Sequence, residues 1–201
     1  MEVVLTIAGS DSSGGAGIQA DLKTFEAFGV FGTSVITVLT AQNTTGVRSI
    51  SPVEPQFIKE QIQAVLEDFD VKAIKIGMLL NKQIILTIKE IIKELNIPIV
   101  LDPVFISKAG SPLLDDDAIE SMKELFEYVE LITPNQFVLP SILKSISFIS
   151  SPYLKKRLLC SLLLSFSCCT TLVDRFYYLE WKINSWDLLE SSVFVILSWP
   201  Y

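Results

Sequence analysis

A run of small and polar residues near the start of the chain has the composition of a ligand-binding loop. Residues 9–21 read GSDSSGGAGIQAD; they follow the apolar run 3–8 and lead into a helical pattern. Glycines let a ligand approach the backbone closely because no Cβ stands in the way. A strand, a turn and a helix in this order also bring free backbone N–H groups to one point. Serine hydroxyls and the Asp11 carboxylate add side-chain partners, so the run predicts recognition of a polar small molecule.

Two familiar nucleotide-binding motifs do not fit this run. A P-loop would end in Lys-Ser or Lys-Thr, and neither pair closes the loop. A dinucleotide fingerprint would need the spacing G-x-G-x-x-G and an acidic residue at the end of a second strand, and both are missing. Judged by its glycine content alone, the run also fits a plain strand-to-helix turn.

Other candidate site residues follow later apolar runs. Gln42 carries an amide that both donates to and accepts from a heteroaromatic ring edge, and Met78 carries a sulfur that packs on a ring face. Asp102 is suited to holding Mg²⁺ through water or to lying near transferring phosphates. Each has a purely structural alternative: Asp102 as a turn former, Met78 as a core residue, and Asn135 as a helix cap. Their recurrence at successive strand ends favours a site.

The elements that would position these residues alternate along the chain. Helical spacing is clearest after Pro55, where Ile58, Ile62, Val65 and Phe69 recur at three or four residues. Strands alternating with helices predict an α/β fold, a doubly wound and mostly parallel sheet with helices on both faces and ligands at the carboxyl ends. The predicted strands are 3–8, 31–41, 73–77, 97–101 and 131–133, and the predicted helices are 15–28, a helix from Pro55, 82–95 and 115–128.

Composition excludes several classes of function. The net charge of −7, with no basic stripe, argues against a nucleic-acid partner. The absence of histidine removes histidine-based catalysis and the commonest transition-metal ligand. The start shows no secretory or transit signal and residues 158–173 are too polar and short to span a membrane, which predicts a cytoplasmic protein without a membrane partner. An organellar address stays open if the N-terminus is incomplete.

The chain changes character near residue 138. Residues 1–139 carry 10 basic and 19 acidic side chains, whereas residues 140–201 carry 6 and 4. All nine glycines lie at or before Gly110, and the three cysteines are Cys160, Cys168 and Cys169. Three clustered cysteines do not form the framework of a secreted disulfide protein. We therefore predict a domain over residues 1–137 and a divergent tail over residues 138–201, so that the C-terminal part of the fold is incomplete or aberrant.

Four segments together resemble the hydroxymethylpyrimidine/phosphomethylpyrimidine kinases of thiamine biosynthesis, which belong to the ribokinase-like superfamily. They read IAGSDSSGGAGIQADLKTFEAFGVFGTSVITVLTAQNTTGV, KIGML, VLDPVFISKAGSPLL and LITPN, in the order of the family, and span two-thirds of the chain. The resemblance implies a ribokinase-like domain that uses ATP and Mg²⁺. It also implies transfer of phosphoryl groups to 4-amino-5-hydroxymethyl-2-methylpyrimidine and then to its monophosphate.

The resemblance also implies roles for individual residues. Gly9, Asp21, Gln42 and Met78 match the positions that bind the pyrimidine in the family. Asp21 would otherwise be interpreted as a surface acid of the first helix. The phosphate side of the site would be formed by Asp102, also the candidate metal ligand, and by Lys108, Thr133 and Asn135.

Two departures from the family pattern concern catalysis. The position of a magnesium-organising glutamate holds Val138, and the glycine-rich anion hole of the family has no counterpart after Gly110. No catalytic residue is therefore assigned, and the cysteines receive no role. A pyridoxal-type kinase, a non-catalytic pyrimidine-binding pseudokinase and a chain that does not fold stably are the alternatives. Members of the family often pair through the sheet edge, so a homo-oligomer also stays open.

Overall fold

The computed structural model describes residues 1–104 and 118–134. In these residues, all the helices pack against one six-stranded sheet. The strands are β1 (Val3–Asp11), β2 (Phe31–Asn43), β3 (Gly46–Pro52), β4 (Val71–Ile76), β5 (Ile99–Leu101) and β6 (Leu131–Ile132). The helices are α1 (Gly17–Ala27), α2 (Pro55–Asp68), α3 (Lys82–Ile92) and α4 (Ala118–Glu124), which continues as a 3₁₀ helix over Leu125–Tyr128.

The strand order in the sheet is β3-β2-β1-β4-β5-β6. Strands β2, β1, β4, β5 and β6 are parallel to one another, and β3 runs antiparallel to β2. The mostly parallel sheet is therefore confirmed. Because neighbouring parallel strands point the same way, the residues that follow β1, β4 and β5 meet at one edge of the sheet.

Strand β3 is the element that the sequence pattern did not predict. It pairs with the end of β2 through a short hairpin, with Gln42 opposite Val47. As an edge strand it exposes most of its residues, including Arg48, Ser49 and Ser51. Because the exposed positions of β3 are polar, this strand lacks the apolar run from which the other strands are predicted.

Helices cover both faces of the sheet, as predicted. The larger core lies on the face that packs against α2, α3 and α4, and α3 contributes Ile84, Ile85 and Ile88 to it. The opposite face packs against α1, where Phe25 contacts Val4 of β1 and Ala73 of β4. The alternation of β1 explains this division, since successive strand residues point to opposite faces.

Element boundaries differ from the predicted ones in ways that have local causes. Strand β1 extends to Asp11 because it stays paired with β2 up to Thr40. Strand β5 begins only at Ile99, after Pro98, which has no N–H to donate to a ladder. The described part of the predicted helix over 115–128 forms α4 and the 3₁₀ helix that follows it. In the described part of the chain, no helix has the length and apolarity needed to cross a bilayer.

The predicted boundary at residues 137 and 138 and the predicted tail lie outside the described residues. So do Lys108, Asn135 and the three cysteines.

Candidate functional site

The loop after β1 is closed by the carboxylate of Asp11. Its Oδ1 accepts hydrogen bonds from the backbone N–H and the hydroxyl of Ser13, each at 2.8 Å. Its Oδ2 accepts from the N–H groups of Gly15 at 3.0 Å and Ala16 at 2.9 Å. The expectation that this loop offers free N–H groups is thus wrong for three residues. A phosphate would have to displace a carboxylate that already occupies the positive end of α1.

Two glycines make the packing of this loop possible. Gly17 has φ +57°, and a Cβ at this position would lie 2.2 Å from the carbonyl oxygen of Gly9. A Cβ at Gly9 would in turn lie 2.9 Å from Cγ1 of Val38 and 3.3 Å from the sulfur of Met78. Gly9 and Met78, both predicted site residues, are therefore neighbours, and the lack of a side chain at Gly9 lets the backbone of β1 pack directly against Val38 and Met78.

Met78 belongs to a small apolar cluster that is separate from the main core. It packs with Val38, which is fully buried, and partly buried side chains of Val47, Ile50, Leu80 and Val104 surround the pair. The hydroxyl of Thr37 donates to the carbonyl oxygen of Met78 at 2.6 Å and fixes this part of the backbone. A partly open apolar surface with a sulfur atom is suited to the face of an aromatic ring.

Gln42 is held beside the loop by its backbone. The hydroxyl of Ser12 donates to the carbonyl oxygen of Gln42 at 2.7 Å and lies 2.9 Å from the backbone nitrogen of Gln42, which donates to it. The side-chain Oε1 has one long contact, 3.4 Å from the hydroxyl of Thr40. Among the described residues the Nε2 group has no hydrogen-bond partner, so the amide can donate to a ligand.

Asp21 is paired, and its partner is a residue that the sequence did not single out. Both of its carboxylate oxygens lie 2.9 Å from the ammonium nitrogen of Lys75 on β4. The hydroxyl of Thr6 on β1 donates to Oδ2 at 2.6 Å. The side chains of Asp21 and Lys75 are only 15% and 11% exposed. Asp21 is thus not a solvated acid of α1 but the centre of a partly buried ion pair against the sheet.

The Lys75 ammonium reaches toward the carboxyl ends of the strands. A Cβ at Gly77 would lie 3.3 Å from Nζ of Lys75 and 3.0 Å from Cβ of Ala8. Gly77 directly precedes Met78, and Ala8 directly precedes Gly9. The ion pair therefore lies beside the residues that directly precede Gly9 and Met78 in the chain, on the face of the sheet that packs against α1.

Asp102 follows β5 at the same edge. Its backbone N–H donates to the carbonyl oxygen of Ile76 at 2.8 Å. Burial raises the pKa of its carboxyl group, while the charge of Lys75 lowers this pKa and the charge of Asp21 raises it further. Asp102 thus interacts electrostatically with both members of the ion pair, and an ionised Asp102 would be stabilised by a cation.

Thr133 lies at the neighbouring strand end, after β6. Its backbone N–H donates to the carbonyl oxygen of Leu101 at 2.9 Å, which places it beside the residue that precedes Asp102. Within residues 1–104 and 118–134, no three acidic or cysteine side chains cluster as a metal site. The ligand that the sequence predicts in this part of the chain is Asp102, and no such cluster surrounds it.

The sequence of the chain matches the model of a known family. A family model described as phosphomethylpyrimidine kinase matches residues 11–163, which is more than half of the chain. The chain belongs to this family. A hydroxymethylpyrimidine/phosphomethylpyrimidine kinase from Aquifex aeolicus is 48% identical to the chain over 135 residues. That alignment covers 66% of the chain and 53% of the relative, so the chain spans about half the length of this curated kinase.

Solved structures of kinases share the fold. A phosphomethylpyrimidine kinase from Clostridium difficile is 52% identical, with a TM-score of 0.64 over 67% of this chain and 59% of the other. A pyridoxal kinase from Staphylococcus aureus, solved in complex with pyridoxal, is 34% identical, with a TM-score of 0.60 over 68% of this chain and 51% of the other. The ribokinase-like fold predicted from the sequence is thereby confirmed.

Proposed function

We propose that this chain forms the ring-binding part of an ATP-dependent kinase that phosphorylates 4-amino-5-hydroxymethyl-2-methylpyrimidine and its monophosphate in thiamine diphosphate biosynthesis. Membership in the phosphomethylpyrimidine kinase family supports the class of reaction. The higher identity to a phosphomethylpyrimidine kinase than to a pyridoxal kinase supports the pyrimidine as substrate.

The observation that carries the proposal is the direct packing of Gly9 against the apolar cluster. Gly9 adds no side chain between β1 and the sulfur of Met78 or the buried Val38, so we infer that a flat ring lies against the partly buried members of the apolar cluster at this strand end. The Gln42 amide lies at the end of β2, beside the loop that follows β1, and Asp21 lies on the face of α1 toward the sheet. An apolar wall with a few polar groups at its rim is the usual composition of a small-molecule site.

The phosphate side of the proposed site lies around Asp102. The loop after β1 is filled by the Asp11 carboxylate, so we place the phosphates of ATP instead at the ends of β5 and β6, near Asp102 and Thr133. Lys108 and Asn135 would complete this side. We assign no catalytic base, and the residues named here bind and orient the reactants, which is the main source of catalysis in phosphoryl transfer.

Asp102 also fits a magnesium ion. Mg²⁺ prefers oxygen ligands and is usually held by one or two carboxylates together with water and substrate phosphates, so a single carboxylate at this edge is sufficient on the protein's side. When bound, the ion would neutralise charge on the transferring phosphates. The burial that raises the pKa of Asp102 would favour binding of a cation to its ionised form.

Calorimetric titration of the full chain with the hydroxymethylpyrimidine, and separately with pyridoxal, tests the proposal. We expect binding of the pyrimidine and a lower affinity for pyridoxal. Gly9→Ala should weaken pyrimidine binding about tenfold or more, because its methyl group would displace Val38 and the sulfur of Met78. Gly15→Ala is the matched control in the same loop, since its Cβ would have no neighbour closer than 3.9 Å.

Turnover of ATP with Mg²⁺ and the pyrimidine distinguishes a kinase from a pseudokinase. Pyrimidine-dependent formation of ADP supports the full proposal, whereas binding without turnover reduces it to a pyrimidine-binding protein. Binding of pyridoxal in preference to the pyrimidine, or of neither compound at millimolar concentration, contradicts it.

A further inference from the structure

Lys75 occupies an unusual position for a lysine. It lies within the strand β4, between Ile74 and Ile76, and its side chain is 11% exposed. Burying an ammonium group is energetically unfavourable unless a partner of opposite charge compensates. Asp21 supplies that partner from α1, 54 residues away in the sequence. Residue 75 thus brings a charge into the interface between α1 and the sheet, where an apolar side chain would be expected.

The geometry of the ion pair leaves Asp21 with limited capacity to accept hydrogen bonds. An ionised carboxylate has about four acceptor positions on its two oxygens. The two positions on Oδ2 accept from the ammonium of Lys75 and from the hydroxyl of Thr6. One of the two positions on Oδ1 also accepts from Lys75. The remaining position is therefore on Oδ1, and the orientation of the carboxylate is fixed by two neighbours on two different strands.

We propose that Lys75, together with Thr6, is a positioning residue that holds the Asp21 carboxylate so that its free Oδ1 position accepts a hydrogen bond from the amino group of an aminopyrimidine. This inference rests on the proposed function. In the neutral ring the amino group is the only N–H donor, because both ring nitrogens are acceptors. A fixed acceptor therefore selects the amino-substituted ring over a ring without that group.

The test compares two ligands and four forms of the full chain by calorimetry. The ligands are the hydroxymethylpyrimidine and its analogue in which hydrogen replaces the 4-amino group. Lys75→Met should weaken binding of the amino compound about tenfold to a hundredfold, the range expected for a hydrogen bond to a charged group. It should change binding of the deamino analogue much less, because that ligand has no donor for Asp21.

Two further variants separate positioning from general disruption. Thr6→Val removes one hydroxyl at a buried position and nearly preserves the volume of the side chain. It should therefore weaken binding of the amino compound several-fold and leave binding of the deamino analogue unchanged. Lys72→Met is the matched control on the same strand. Its ion pair with Asp70 is solvent-exposed on both sides, so this substitution should leave the binding of both ligands unchanged.

The outcomes distinguish this inference from the function on which it rests. If the unsubstituted chain binds neither pyrimidine, the proposed function fails. If the unsubstituted chain binds the amino compound, the two variants decide the positioning role. That role is wrong if Lys75→Met and Thr6→Val weaken the binding of both ligands equally, or if they strengthen the binding of the amino compound. A loss confined to the amino compound in either variant supports it, and Thr6→Val remains decisive if Lys75→Met does not fold.

Discussion

The contact between Gly17 and Gly9 leads to a prediction with internal controls. Replacing Gly17 with alanine places a Cβ 2.2 Å from the carbonyl oxygen of Gly9, in a backbone conformation with φ +57°. That carbonyl belongs to β1, and residues 10 and 17 form a bridge across the loop. The atom that the new Cβ meets belongs to the backbone and not to the end of a flexible side chain, so the backbone itself must move.

The expected cost has two parts. An alanine in the left-handed region costs about 1–2 kcal/mol relative to glycine. Forcing the backbone apart adds about 1–3 kcal/mol, the range of overpacking in a well-packed structure. Gly17→Ala should therefore lower the free energy of unfolding by about 2–5 kcal/mol, the sum of the two parts, and it should also weaken ligand binding because Gly9 lines the proposed site.

Two other glycines isolate these parts in urea denaturation monitored by circular dichroism. Gly29 has φ +71° and open space where a Cβ would lie, so Gly29→Ala should show the conformational cost alone, about 1–2 kcal/mol. Gly15→Ala should change the free energy of unfolding by less than about 1 kcal/mol, since Gly15 has neither a left-handed backbone conformation nor a close neighbour where the Cβ would lie. If Gly17→Ala costs no more than Gly29→Ala, the close contact between Gly17 and Gly9 is not a constraint on the fold.

Three further predictions concern stability, each measured by the same denaturation experiment. Asp11→Ala should cost about 2–3 kcal/mol, because it removes a charged acceptor from the loop amides, and Asp11→Asn should cost less; equal costs would contradict the role of the charge. Asn81→Ala should cost about 1 kcal/mol, because the Asn81 side chain caps α3 by accepting from the N–H of Ile84 at 3.0 Å; an unchanged midpoint would contradict the cap. Asp102→Asn should stabilise the chain at pH 7. Burial raises the pKa of Asp102 in the folded state, so the folded state binds more protons than the unfolded state above the ordinary value of 3.8, and stability falls as pH rises through that window. The Asp102→Asn variant should lose this dependence of stability on pH. If the variant is less stable than the unsubstituted chain at pH 7, the prediction is wrong.

The sequence predicted the framework of the site because that framework follows from local patterns. Apolar runs separated by helical spacing predict parallel strands, and parallel strands place Gly9, Met78 and Asp102 at one edge. The roles of Gln42 and Asp21 depended on the family resemblance, since neither residue type is informative by itself. Those assignments of individual side chains to the ring stay predictions.

Contacts between distant residues were beyond the reach of local patterns. Lys75 lies in a short strand whose pattern indicates only burial, and its partner Asp21 looks like a surface acid from its place on a helix. The filling of the glycine-rich loop by Asp11 was missed for the same reason, because composition does not tell which acceptor takes the loop amides. Strand β3 was missed because an exposed edge strand needs no apolar run.

The central claim is that the ring binds at the carboxyl ends of β1, β2 and β4. Amide chemical shifts of the ¹⁵N-labelled full chain, recorded during titration with the hydroxymethylpyrimidine, test it most directly. The account predicts that the largest shifts occur at Gly9, Gln42 and Gly77–Met78. Shifts confined to the cleft formed by residues 66, 69–72 and 95–98 at the opposite edge of the sheet, or no shifts at millimolar ligand, would contradict it.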